Sequence, residues 1–228
     1  GTEKLQYLIS GGYFDQEGII KTSDYKRFNL RTNIDAQVLN NLKIGSSISG
    51  SYGYGYFPNA VGHYGLGGVL NMALAASPTI PVYDNDGNPY FDSKDVTDGL
   101  GWLVNPLTVL NKDNYSDRRT TAHLIMNNYL EYRILDGLTF RTTLGINYDD
   151  GQIKLWRTSA VPRYTSLNYP STAGVTQTNE IDWLNENTLN YKHLFNGEHS
   201  VDALIGFSAQ KNSYQRFSAG AMDFPTDY

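Results

Sequence analysis

Cysteine is absent from the 228 residues of this chain, and so are long apolar runs. Without Cys, the chain forms no disulfides, thiolate metal sites or thiol nucleophiles. No stretch reaches the roughly 18 apolar residues that a membrane-spanning helix needs. The net charge of −5 argues against a nucleic-acid-binding protein, which needs a basic surface. No signal peptide opens the chain, as expected of a mature, truncated or cytosolic protein.

Tyr and Gly are abundant, with 18 and 22 copies, and Asn is also frequent. Hydrophobic residues make up 40% of the chain, which argues against disorder. Tyr favours strands and membrane interfaces, whereas Gly and Asn favour turns. The composition therefore predicts an all-β protein with aromatic belts and many turns.

The segment 27–38 alternates in polarity. Phe28, Leu30 and Ile34 share one parity, and Arg27 and Arg31 share the other. Because a strand places successive side chains on opposite faces, this segment has one apolar and one polar face. In a soluble sheet the apolar face is the core, whereas in an outer-membrane barrel it faces lipid and the polar face lines the lumen.

Seven strand-like segments emerge along the chain, and their connections alternate in length. The segments are 4–15, 24–39, 42–57, 118–135, 138–156, 178–195 and 198–217. Asn40-Asn41, Asp136-Gly137 and Asn196-Gly197 are hairpin signals, since Asn and Gly tolerate the positive φ of a type I′ turn. The other connections, 16–23, 58–117 and 157–177, are long. Short turns thus lie at one end of the sheet and long loops at the other, as in an outer-membrane barrel.

Aromatic residues recur about 10 to 14 residues from the short turns, where strands tilted by about 45° would cross the outer edge of an apolar band. These residues are Tyr13, Phe28, Tyr52, Tyr54, Tyr56, Tyr148, Trp183 and Phe207. The strand around Trp183 fits less well, because its apolar face also carries Asn185 and Asn187. Either a bulge shifts the register there or a partner covers that patch.

Candidate sites of chemistry are few. His193 and His199 flank a turn, where polar interface residues are more common than metal ligands. The sequence YDNDGNPY (83–90) resembles the start of a calcium loop but lacks the later Glu, so a hairpin turn is favoured. GLGG (65–68) follows no strand, which argues against a phosphate cradle. No Ser/His/Asp order stands out, and Asp149-Asp150 and Asp182/Glu186 are unremarkable as catalytic pairs. Neither an enzyme nor a cofactor is predicted.

The connection 58–117 is far longer than ordinary loops, and loops of such length are generally functional. It contains a helix-compatible stretch at 69–76 that Pro78 ends. Aromatic side chains in this connection could stack on sugar rings or pack against a partner protein. These are Tyr83, Tyr90, Phe91, Trp102 and Tyr115. A self-packed extracellular cap is the alternative.

Several motifs resemble the SusC/RagA family of TonB-dependent outer-membrane transporters. They are SGGYFDQEGIIK, YKRFNLRTNIDA, AASPTIPVYDNDGNPY, the later Asn105-Pro106, YLEYRILDGLTFRTTLGINY and NENTLNY, in the family's order and across nearly the whole chain. The resemblance implies a Gram-negative outer-membrane barrel of 22 strands with a plug in its lumen, energised by TonB. It also implies a SusD-like surface lipoprotein as a lid, and import of glycans, oligosaccharides or peptides.

Under this resemblance, residues 1–228 are an early segment of one barrel domain, without the plug domain. The segment would start at a periplasmic turn and end in an extracellular loop near Phe224-Pro225, with 58–117 as a long extracellular loop. The polar parity then faces the lumen and plug, because an Arg at mid-bilayer costs about 2–4 kcal/mol. The expected lumen- or plug-facing residues are Arg27, Asn29, Arg31, Asn33, Asp35, Arg141 and Asn147.

Two other classes of protein remain open from the sequence. A soluble, secreted all-β carbohydrate-binding or adhesion protein would use the apolar parity as a sandwich core, and would not need detergent. An outer-membrane enzyme barrel would need a catalytic constellation near one rim, which the sequence does not indicate.

Overall fold

The structure is a computed structural model that describes residues 1–59, 68–76, 78–79, 81–90, 105–159, 161 and 170–226. Seven strands form one antiparallel sheet in which each pairs with its neighbour in sequence. The strands are β1 (Leu5–Glu17), β2 (Asp24–Leu39), β3 (Leu42–Tyr56), β4 (Tyr115–Leu135), β5 (Leu138–Arg157), β6 (Thr172–Phe195) and β7 (His199–Met222). Two short helices, α1 (Val69–Ala75) and α2 (Pro106–Val109), lie between β3 and β4. No described helix is long and apolar enough to cross a membrane.

All seven predicted strands are confirmed, and the main differences lie at the ends with long loops. β4 begins at Tyr115 instead of 118, β6 begins at Thr172 instead of 178, and β7 ends at Met222 instead of 217. Pairing explains the longer strands, because β6 pairs with β5 from Thr172 to Tyr191 and with β7 from Thr172 to Phe195. Polar and small residues in these extensions gave no clear alternation in the sequence.

The three tight turns join their strands as expected, but with different backbone geometries. At Asn196-Gly197 both residues have positive φ, 51° and 72°, as a type I′ turn requires. The two other tight turns adjoin irregularities in register, between Gln37 and Leu39 and between Arg133 and Leu135. A bulge next to the turn thus replaces the type I′ geometry at these two hairpins.

The register of the strand around Trp183 is regular. β6 pairs with β5 and with β7 without interruption, so the bulge predicted as one explanation for its polar residues is wrong. Asn185 instead donates from Nδ2 to the Thr143 carbonyl oxygen at 2.8 Å, and Asn187 Nδ2 donates to Asn185 Oδ1 at 2.6 Å. These amides therefore satisfy one another and the neighbouring strand, and coverage of the patch by a partner stays a prediction.

Three of the predicted aromatic residues of the first three strands lie in one row. Phe28 pairs with Tyr13 on one side and with Tyr52 on the other. The rings of Tyr13 and Phe28 have centroids 4.9 Å apart, and those of Tyr52 and Tyr54 are 6.1 Å apart. The sequence spacing thus places these rings side by side on one face.

The apolar face of the sheet is uncovered. Its side chains Leu30, Ile34, Leu144 and Ile205 are 58%, 40%, 39% and 73% exposed. Within the described ranges, all buried apolar side chains lie outside the strands; they are Val69, Met72, Val109 and Val161. A sandwich would bury this face beneath a second layer, so the described chain argues against the soluble alternative. The arrangement is that of a barrel wall with an apolar outer face.

We expect an arginine on the apolar face to destabilise the intact protein more than the same residue one position away. Leu144→Arg places a charge in the apolar band and should lower the free energy of unfolding by about 2–4 kcal/mol. Thr143→Arg, the matched control, adds the charge to the polar face and should cost much less. Urea titration in lipid vesicles measures both, and equal losses would contradict this assignment of the faces.

Candidate functional site

The polar face of the sheet holds every residue that the sequence assigned to a lumen. Alternate residues of β2 and β5 point to the same side, and the register joins them through β3 and β4. Along one row, Asp35 pairs with Gly45, Gly45 with Tyr129, and Tyr129 with Thr143. The predicted residues on this face are Arg27, Asn29, Arg31, Asn33, Asp35, Arg141 and Asn147.

A polar network crosses this face from β2 to β5. The Tyr129 hydroxyl donates to Asp35 Oδ1 at 2.7 Å, and Arg141 Cζ lies 4.4 Å from the centroid of the Tyr129 ring. Arg141 Nη1 also pairs with Glu131 Oε2 at 3.2 Å. Tyr129 and Glu131 were not identified from the sequence, because their role depends on cross-strand register, which parity alone does not give.

Glycine at position 45 makes room for the Tyr129 ring. A Cβ built on Gly45 would overlap the ring atoms of Tyr129, and one on Gly53 would similarly meet the Tyr25 hydroxyl. Between them β3 carries only serines on this face, Ser47, Ser49 and Ser51. β3 thus forms a shallow floor on which aromatic rings from the strands beside it lie flat.

An open cavity of about 510 Å³ lies on this face near the Tyr129 network. Its lining residues from the polar face include Asn33, Asp35, Gly45, Asn127, Arg141 and Glu186. Thr143 Oγ1 donates to Glu186 Oε2 at 3.5 Å at one edge, and Ser47 Oγ donates to Asn33 Oδ1 at 2.8 Å at the other. The cavity presents carboxylates, amides and one guanidinium, which suit hydrogen bonding to a polar surface or to water.

His123 and Asp149 form a second cluster on the polar face. Their side chains are in direct contact, and Asn147 Nδ2 donates to the other Asp149 oxygen at 3.2 Å. Asp150 points to the opposite face, where Gln177 Nε2 donates to it at 2.7 Å. The two adjacent carboxylates therefore cannot act together, as expected from their neighbouring positions in a strand.

The motif at 83–90 is a hairpin turn. Asp84 Oδ1 accepts the backbone N–H groups of Asp86 at 3.0 Å and Asn88 at 2.8 Å, and Tyr83 bridges to Pro89. Asn105 Nδ2 fastens this hairpin through the carbonyl oxygens of Val82 (2.8 Å) and Tyr90 (3.2 Å). The Asp84 carboxylate is thus already used by the backbone. Within the described residues, no group of three His, Cys, Asp or Glu side chains could hold a metal ion.

The aromatic residues assigned to the long connection differ in their exposure. Tyr83 is 55% exposed, and the ring of Tyr115 packs beside the small buried cluster that joins α1, α2 and Val161. Phe91 and Trp102 lie outside the described residues. Part of the connection therefore packs upon itself, as the cap alternative predicted.

The two remaining motifs show no site in the described chain. His193 lies between two rings, with its centroid 4.4 Å from that of Phe195 and 6.1 Å from that of Tyr191. Of GLGG, only Gly68 is described; it stands at the N-cap of α1. Positions 65–67 of the motif lie outside the described residues.

Comparison with known proteins shows which proteins this chain resembles. No family model matches the chain. TonB-dependent receptors P3 and P26 of Formosa agariphila are 29% and 28% identical over 100% and 99% of the chain, which covers 22% of each. TonB-dependent receptor SusC of Bacteroides thetaiotaomicron is 28% identical over 66% of the chain, or 16% of its own length. The chain thus spans about a fifth of the relatives that it matches.

A solved structure shows the same fold. The RagAB peptide importer in its open-open state matches the whole chain with a TM-score of 0.70 at 20% identity, and the chain covers 24% of the matched chain. The resemblance predicted from the motifs is confirmed: the chain is similar to a barrel segment of SusC/RagA-like TonB-dependent transporters. These relatives are named as receptors and importers, in agreement with the prediction that the chain is not an enzyme.

We expect Gly45→Ala to destabilise the intact barrel by about 1–3 kcal/mol, because the new methyl group overpacks against Tyr129. Gly50→Ala on the same strand is the control, since its nearest neighbours lie 3.8 Å away. In a Tyr129→Ala background the penalty at position 45 should disappear. Denaturant titrations of the four variants form a double-mutant cycle. A penalty at position 45 that persists without the ring would refute the proposed packing.

Proposed function

We propose that this chain forms part of the wall of an outer-membrane, TonB-dependent nutrient importer. One observation carries the proposal: a single sheet has an uncovered apolar face and an opposite face lined with hydrogen-bonded polar side chains. Such a sheet is stable where one side meets hydrocarbon and the other meets water or protein. The similarity to TonB-dependent receptors supports the energy source.

The polar face would position a plug and the water around it. Arg27 and Arg31 form no ion pair among the described residues, so they would offer charge-assisted hydrogen bonds to carboxylates of the plug. Arg141 is held by Glu131 and the Tyr129 ring and would present a fixed surface. Transport on this account involves no covalent chemistry: TonB pulls on the plug while the wall stays rigid.

The loop end of the sheet would receive the cargo. A SusD-like surface lipoprotein would serve as a lid, and the connection 58–117 would close beneath it. Exposed Tyr83 could stack on a sugar ring or a peptide side chain, and the same role is proposed for Tyr90, Phe91, Trp102 and Tyr115. The cargo class is an oligosaccharide or a peptide. RagAB is named a peptide importer, while the exposed aromatic suits either ligand.

Uptake in cells tests the proposal. The intact protein is expressed in an outer membrane, and import of labelled oligosaccharides and labelled peptides of matched size is followed with and without TonB. We expect one ligand class to accumulate only when TonB is present, because the lumen of a plugged barrel opens only when the plug moves. Loss of the partnering lipoprotein should reduce uptake at low ligand concentration.

Two results would contradict the proposal. Accumulation that is equal without TonB would make the barrel a passive pore. A protein that purifies as a stable, monodisperse species without detergent would show that the apolar face is not in a membrane, and would revive the soluble binding protein.

A further inference from the structure

A pair of cations lies side by side on the apolar face of the sheet, at its loop end. Arg118 on β4 pairs directly with Lys154 on β5 in the register, and both side chains are exposed. Directly opposite residues of an antiparallel pair have Cβ atoms about 4.5–5.5 Å apart. Like charges on directly opposite residues repel each other, so this pairing is unfavourable unless an anion lies between the two side chains.

Three other cations at this end of the sheet are neutralised by carboxylates. Lys26 Nζ pairs with Asp15 at 2.9 Å, Lys112 Nζ with Asp24 at 2.8 Å, and Arg119 with Asp117 at 2.7 Å. In the described part of the chain, no carboxylate forms an ion pair with Arg118 or Lys154. The pair is therefore an exception to the local pattern and is available to an anion from outside.

The setting of the pair indicates the source of that anion. Tyr56, the other register neighbour of Arg118, belongs to the aromatic set predicted for the membrane edge. The adjoining row on the same face is polar, with Gln152 Nε2 donating to Gln177 Oε1 at 2.8 Å. Aromatic rings are enriched where hydrocarbon meets headgroups, and amides on the same face favour such an interface over hydrocarbon. Long Lys and Arg side chains can reach along this boundary.

We propose that Arg118 and Lys154 bind the phosphate of an anionic lipid headgroup in the outer leaflet. A phosphate oxygen between the two cations would accept a hydrogen bond from each and cancel their repulsion. Lys112 adds positive charge close by, since its Nζ lies 4.0 Å from the Tyr56 ring centroid while it pairs with Asp24. A lipid phosphate fits better than a free one, because the pair stands on the face that contacts membrane.

Binding of diphosphoryl lipid A to the intact protein in a neutral detergent tests this site. We expect the double variant Arg118→Gln, Lys154→Gln to bind at least about tenfold more weakly than wild type, since two charge-assisted contacts are lost. Lys43→Gln removes one positive charge from the polar face and should bind as wild type does. Phosphatidylcholine and inorganic phosphate, added in place of lipid A, should bind weakly.

Thermal stability gives a second readout, in which the variant is not expected to lose anything when lipid is absent. Without anionic lipid, the double variant should melt at or above the melting temperature of wild type, because the repulsion between the two cations is gone. When lipid A is added, the melting temperature of wild type should rise more than that of the double variant. Wild-type lipid affinity in the double variant would overturn the proposal. Binding of inorganic phosphate as tight as that of lipid A would also overturn it, by assigning the site to free anions.

The inference rests on the proposed membrane setting but not on import. A protein that needs no detergent would refute the membrane setting itself. A protein that needs detergent and imports its cargo, yet binds lipid A equally in all variants, would refute the lipid site alone.

Discussion

The constraint on which this structure depends is the fixed alternation of two unlike faces along seven paired strands. Each strand places apolar side chains on one side and polar ones on the other. Backbone pairing, irregular only beside two of the tight turns, fixes the register of neighbouring strands. A slip of one residue in β2 would move Arg27 and Arg31 to the apolar side. The free-energy cost of placing these charges in hydrocarbon therefore disfavours other registers. The register in turn determines which side chains meet on the polar face.

The polar face shows how a thin wall gains rigidity without a buried core. Gly45 lets the Tyr129 ring lie flat, the ring hydroxyl reaches Asp35, and Arg141 covers the ring from β5. Side chains thereby join β2, β4 and β5 across β3, in addition to the backbone pairing. Among the described residues, buried apolar packing lies in the long connections near Val109 and Val161, where the chain leaves the sheet.

Much of this arrangement could be predicted from the sequence, and the misses have physical causes. Alternation and turn chemistry gave the seven strands, their order and the shared face of Arg27 and Arg141. The same rules suggested a bulge near Asn185, because the alternation pattern counts amides as polar residues on an apolar face. It does not include the hydrogen bonds of Asn185 to Thr143 and of Asn187 to Asn185, which satisfy these amides there. Tyr129 and the Arg118–Lys154 pair were not predicted because parity does not give cross-strand register. A long connection separates β3 from β4, and an irregularity beside the Asp136-Gly137 turn shifts the register of β4 and β5.

The most direct test of the central claim is to ask which face touches hydrocarbon. A single cysteine introduced at position 144 and another at 143, each carrying a fluorescent label, would be compared in vesicles whose lipids have brominated acyl chains. Bromine quenches only at contact, so we predict strong quenching at 144 and little at 143. Equal quenching at both positions, or stronger quenching at 143, would contradict the account of this chain as a barrel wall.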